Sequence, residues 1–143
     1  MLLPHGTIFA IVDGESFELY RNSGMEREPE LEALETPKLD TTNYSWGARD
    51  HDKVSRFTTG APKDRLDKLE ERAHAAAVAQ WLNHQALAHQ IEKLVIVADP
   101  RSLGEMRRHY HKELEKVLVC EVDRTMVGRP PEEIVECVRA AAA

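Results

Sequence analysis

The sequence predicts an α/β fold: a mixed β-sheet, opened by an N-terminal antiparallel hairpin and continued as β-α-β-α-β-α, with helices packed on its faces. Three observations carry this. The runs TIFAIVD (7–13) and KLVIVAD (93–99) are apolar on both faces, the pattern of strands covered from both sides, and VLVCEV (117–122) reads as a third apolar strand. SFELYRN (16–22) instead alternates, directly after an Asp-Gly pair. Beyond residue 63 the segments between apolar runs carry helix-start signals and helical spacing, and strands that alternate with helices imply a sheet with helices against it.

In the first run Ile8, Ala10 and Val12 share one face, and Phe9 and Ile11 the other. Asp13-Gly14 tolerates the positive φ of a tight hairpin, so 16–22 should return antiparallel with Phe17 and Leu19 inward. ELEALE (30–35) reads as a short third strand whose acidity confines it to an edge, or else as a loop. Residues 36–63 have no sustained period and are rich in Thr, Ser, Gly and charge, with Tyr44, Trp46 and Phe57 isolated among them. A polar loop of that length within one domain, here 1–143, is functional or disordered.

The clearest helix follows, with Asp64 as N-cap and Asp67 three residues on. Leu66, Leu69, Ala73, Ala76, Ala77, Trp81, Ala88 and Ile91 form its apolar stripe, with Trp81 as core. His84, His89 and Lys93 complement the dipole at its end. After the second apolar run, 102–116 reads as helix with a break near His111. Pro130-Pro131-Glu132-Glu133 opens the last helix, which buries Ile134, Val135 and Val138. The connections after residue 93 should be right-handed crossovers.

At 143 residues and 42% hydrophobic the chain can bury a core without staples. Its formal net charge of −6 argues against wholesale binding of nucleic acid or anionic membrane. Cys120 and Cys137 form no CxxC pair and read as small buried hydrophobes in a reduced cytoplasm. No apolar run is long enough to span a bilayer, and Leu2 and Leu3 read as part of the domain rather than a targeting segment.

Asp99-Pro100-Arg101, where the second apolar run stops, admits two readings. Ser102-Leu103-Gly104-Glu105 fits the S-x-x-E capping box, which satisfies two backbone amides locally. The alternative is an anion cradle, because ligands of open α/β sheets sit at strand carboxyl ends facing helix N-termini. The box uses the amides an anion would need, and Glu105 would repel one, so the structural turn is favoured. Gly104 is then expected to permit close packing.

Two islands run against the acidic balance. Residues 38–65 hold six basic and four acidic residues, and residues 101–116 hold five and three. If they meet in space they form a modest polyanion surface, with Arg49, Lys53, Arg56, Arg101, Arg107 and Arg108 as its binding residues; aromatics among the loop arginines suit stacking on bases. The competing reading is a solvated loop with scattered charge. No metal is implied: the seven histidines lack HExxH or ligand spacing. GxSxG, GxGxxG and P-loop motifs are absent, and Glu70-Glu71 reads as solvated surface. No catalytic residue and no cofactor are assigned.

PHGTIFAIVDGESFELYRN at the start, the Gly/Arg/Asp-rich middle, the Ala-rich helix and LVIVADPRSLGEMRRHYH together resemble the bacterial host-attachment protein family, over essentially the whole chain. That family is in turn similar to the middle domain of archaeal and eukaryotic class-one release factors, which carries a Gly-Gly-Gln loop for peptidyl-tRNA hydrolysis. The corresponding stretch here is 36–63, and it contains no Gly-Gly-Gln; Gln80, Gln85 and Gln90 are the only glutamines. The resemblance implies a mixed sheet that presents a long polar loop to a macromolecular partner, RNA or the ribosome. It leaves three functions to weigh: a non-enzymatic cytoplasmic binding module, a hydrolase of peptidyl-tRNA or a related nucleotide ester, and a surface adhesin, the last disfavoured by the absence of an export signal.

Overall fold

The structure, a computed structural model, describes residues 3–39 and 63–142, with side chains described for 3–39 and 69–141. These residues form strands β1 (Ile8–Val12), β2 (Phe17–Asn22), β3 (Leu31–Leu34), β4 (Leu94–Ala98) and β5 (Leu118–Asp123). The helices are α1 (Lys63–Leu87), α2 (Pro100–Arg107), α3 (Lys112–Val117) and α4 (Pro131–Ala142). The strands make one mixed sheet in the order β3-β2-β1-β4-β5. β1, β2 and β3 pair antiparallel in sequence, and β4 and β5 add parallel to the other side of β1. The α/β sheet and its hairpin are as predicted, and ELEALE is an edge strand with exposed Glu32 and Ala33.

The doubly apolar strands sit where both faces are covered. One face carries Ala10, Val12, Leu94, Ile96 and Ala98 against α1, α2 and α3 through Val78, Leu82, Leu103, Met106 and Leu114. The other carries Phe9, Ile11, Val95, Val97 and Val122 against Ile134 and Val138 of α4, with Leu3 beneath. Burying a side chain of this size contributes roughly 1.5–3 kcal/mol, so β1 and β4 anchor both layers. α1 is broader in burial than the predicted stripe, since Ala73 and the whole run Ala75–Ala79 are buried. Alanines there let α2 and α3 approach its backbone closely. Trp81 lies half-buried at the core's rim, edge-on to Phe17 with ring centroids 5.7 Å apart. Ala88 is exposed and falls beyond the helix, as does the buried Ile91.

Three local expectations are corrected. Gly14 does not adopt positive φ; the turn is held by the Asp13 carboxylate, which accepts from the amides of Glu15 (2.8 Å) and Ser16. Glycine is needed there for another reason: a Cβ would lie 2.6 Å from Cγ of Glu71. Second, α1 does not run on to Ile91 and Lys93: it ends at Leu87, and without a glycine. Gln90 N–H donates to Gln85 O at 2.9 Å and His89 N–H to Ala86 O at 3.1 Å, the paired bonds of a Schellman motif, with His89 at φ 58°. Third, the S-x-x-E segment is not a capping box. Asp99 is the N-cap of α2, Pro100 takes its first position, and Ser102 lies buried inside the helix. Proline excludes helical geometry from Asp99, whose ψ is 156°, so the helix begins as early as the chain allows.

The N-terminal PHGT segment is a clamp. Buried Asn22 donates through Nδ2 to Leu3 O (2.9 Å) and Pro4 O (3.3 Å), and its Oδ1 accepts from the amides of Gly24 and Glu30. Thr7 Oγ1 donates to Pro4 O at 2.7 Å, and Gly6 turns the chain at φ 87°.

Candidate functional site

Two depressions flank the N-terminus of α2. The first lies at the carboxyl ends of the parallel strands, where ligands of open α/β sheets bind. It is a hollow of about 570 Å³ lined by Asp13, Glu15, Glu71, Asp99, Arg101 and Thr125 among others. Behind Asp13, His74 of α1 holds Nδ1 3.0 Å from the Asp13 carbonyl oxygen. That contact makes Nδ1 the protonated nitrogen. The lining is acidic, yet no group of three or more His, Cys, Asp or Glu among the described residues is placed to hold a metal ion. Oδ2 of Asp99 accepts from Ser102 N–H at 3.2 Å, while its buried Oδ1 has no hydrogen-bond partner.

This geometry answers the question at Asp99-Pro100-Arg101. Pro100 has no amide hydrogen, Ser102 N–H is taken by the Asp99 carboxylate, and Leu103 N–H donates to Asp99 O at 2.9 Å. Only the Arg101 amide is left of the first four, and it sits beside a carboxylate. The α2 mouth is therefore a structural turn and a poor anion cradle.

The second depression is a cleft of about 320 Å³ between α1 and α2, lined by Glu71, Arg72, Arg101, Ser102, Gly104, Glu105 and Arg108. It brings together two of the predicted binding residues, Arg101 and Arg108. Both are highly exposed, and each faces a carboxylate at a long 3.7 Å, Arg101 to Glu71 and Arg108 to Glu105. Pairs this exposed hold their charges weakly. Arg107 is different: its Nε donates to Glu121 Oε2 on β5 at 3.2 Å, and Tyr110 Oη donates to the same oxygen at 2.8 Å. Burial first, then the Glu121 hydrogen bond, hold the Tyr110 hydroxyl far above the ordinary phenol range. Arg107 is thus committed to the sheet edge rather than to the cleft. Arg49, Lys53 and Arg56 lie outside the described residues, as does 40–62 of the predicted loop.

Arg72 joins the cleft without having been singled out in the sequence, where it sits in a run of charged helix residues. Glu71 is partly exposed, as a surface residue should be, but it also packs over Gly14 and faces Arg101. Gly104 serves no close packing among the described residues: a Cβ there would meet none of their atoms within 4 Å. The thiol of Cys120 is half-buried, and burial followed by Glu121 pushes its pKa up, the reverse of what a nucleophile needs.

The sequence profile of bacterial archaeo-eukaryotic release factor family 12 matches residues 7–138. The chain belongs to that family. No curated protein matches it. This release factor family member carries the α/β sheet that the release-factor resemblance implied, while the host-attachment part of that resemblance has no counterpart in the match. Its glutamines sit on α1 or just past its end, with Gln80 Oε1 accepting from Asn83 Nδ2 at 3.3 Å. Among the described residues of this release-factor-like chain, no helix is long and apolar enough to cross a membrane.

Proposed function

We propose that this release-factor-family protein is a non-enzymatic cytoplasmic module that docks on the ribosome or a ribosome-associated RNA. The observation that supports it most is the exposed trio Arg72, Arg101 and Arg108 around one cleft in a chain of net charge −6. A cationic patch on an acidic protein steers and orients a polyanion without promoting indiscriminate binding. The basic residues of 38–65, with Arg49, Lys53 and Arg56, add to the polyanion contacts in this reading. An attachment phenotype of the kind the host-attachment likeness implies then arises indirectly, from an intracellular role.

The test is co-sedimentation with purified ribosomes at about 50 and about 200 mM salt, with and without ribonuclease. Wild-type protein pellets with ribosomes at low salt, less at high salt, and loses its partner after nuclease; an Arg101→Glu/Arg108→Glu variant stays in the supernatant. Pelleting that is indifferent to salt, nuclease and both substitutions overturns the reading. Peptidyl-tRNA turnover above buffer would replace it with the hydrolase, and recovery of the protein outside the cell with the adhesin.

A further inference from the structure

We infer that the α1–α2 cleft is a nucleotide-sized binding site for single-stranded RNA, with Gly104 as its floor and Arg72, Arg101 and Arg108 gripping the phosphate. This rests on the RNA-docking reading and narrows it to one place and one chemistry.

Gly104 is the first reason. It lies inside α2 and is exposed, where glycine weakens a helix relative to alanine. Nothing among the described residues requires it: its φ is not positive, and a Cβ would touch no described atom within 4 Å. A missing side chain there leaves room for a group to approach the helix backbone closely.

The guanidiniums are the second. Arg72 has no carboxylate partner among the described residues, and the 3.7 Å contacts of Arg101 and Arg108 are too long for hydrogen bonds. Their planar donor forks remain available to bind phosphate oxygens in pairs. The α2 N-terminus contributes little, because Asp99 already occupies it.

Size and mixed charge choose the ligand. A cleft of about 320 Å³ is at the low end of small-molecule sites, the scale of one nucleotide. Glu71 and Glu105 also line it. They repel a bare anion, but a carboxylate accepts hydrogen bonds from the exocyclic amines of bases. A nucleotide, with phosphate at one end and base amine at the other, matches both signs. Single strands present such bases unpaired.

Fluorescence anisotropy with a short fluorescein-labelled single-stranded RNA of mixed sequence tests this. Gly104→Leu fills the cleft, changes no charge and improves helix propensity, so it should fold with an undiminished melting temperature. It is expected to weaken RNA binding by about tenfold or more, as is Arg72→Ala/Arg108→Ala, whereas Arg129→Ala, an exposed charge paired with Glu133 elsewhere, leaves binding within about twofold. Wild-type affinity in folded Gly104→Leu, or in the double arginine variant should the leucine fail to fold, overturns the cleft and leaves RNA docking elsewhere intact. Absence of any RNA binding by the wild-type chain overturns the docking reading itself.

Discussion

Replacing Asn22 with alanine removes the polar centre of the N-terminal clamp. Four hydrogen bonds go: two from Nδ2 to Leu3 O and Pro4 O, two into Oδ1 from the amides of Gly24 and Glu30. Pro4 O keeps Thr7, whose Oγ1 and N–H both donate to it. Leu3 O, on a fully buried residue, is left without that donor, whereas the two amides lie in a turn that water can reach. An orphaned buried carbonyl costs about 1–3 kcal/mol and each remaining lost bond about 0.5–1, so the expected loss is about 3 kcal/mol. In urea unfolding, followed by tryptophan fluorescence, that is a midpoint lowered by about 2 M. Asn22→Asp sharpens the test. Its carboxylate still serves Gly24 and Glu30 but faces two carbonyl oxygens in a buried place, which raises its folded pKa above the unfolded value of about 3.9. A raised folded pKa means stability present at low pH and lost as pH rises through it, so Asn22→Asp should gain on the wild type as pH falls from 7 toward 4. An alanine variant within about 1 kcal/mol of wild type, or an aspartate variant insensitive to pH, refutes the clamp.

Other substitutions follow from the same geometry. His89 holds a left-handed conformation at the end of α1, so His89→Gly should stabilise by about 0.5–1 kcal/mol and raise the melting temperature by a few degrees; a lower one contradicts the Schellman assignment. Asp99→Ala should cost about 1 kcal/mol as a lost N-cap, while Asp99→Ser keeps a capping oxygen and removes the buried orphan, so chemical denaturation should rank serine above alanine. The folded pKa of Tyr110 is raised, so the stability linked to it is complete below about pH 10 and lost above. Absorbance at 295 nm should show this tyrosine un-ionised until alkaline unfolding, and Tyr110→Phe should delete that late step.

What was legible in the sequence and what was not divide along one physical line. Strands β1 and β4 announced themselves because a strand buried on both faces must be apolar at every position, and Ile8–Val12 and Leu94–Ala98 are; β5, at the sheet edge, was legible only from its apolar run LVC (118–120). Pro131 with Glu132 and Glu133 marked α4 because those residues act on local backbone groups. The errors arose where two local signals competed or a distant group decided. Asp99 and Ser102 are both good caps; Pro100 chose between them, since its fixed φ suits the first helical position. Gly14 looked like a hairpin residue, yet it answers to Glu71, fifty-seven positions away. His89 carries no C-cap signature, since Schellman ends are read from glycine.

The candidate site was half visible for the same reason. Arg101 and Arg108 drew attention as part of a basic cluster beside a strand end. That Arg107, between them, turns instead to Glu121 is a matter of helical phase and of what β5 offers. Arg72 comes from another helix, and only the packing of α1 along α2 places it opposite.

The account stands on phosphate recognition by a cationic cleft, and the salt dependence of RNA affinity measures that directly. Each guanidinium that replaces a counterion on a single strand contributes about −0.7 to the slope of log K against log salt. With Arg72, Arg101 and Arg108 engaged, the wild-type slope should be about −2 or steeper, and Arg72→Ala/Arg108→Ala should flatten it by about 1.4. A wild-type slope near zero, or one that the double substitution leaves unchanged, contradicts the account.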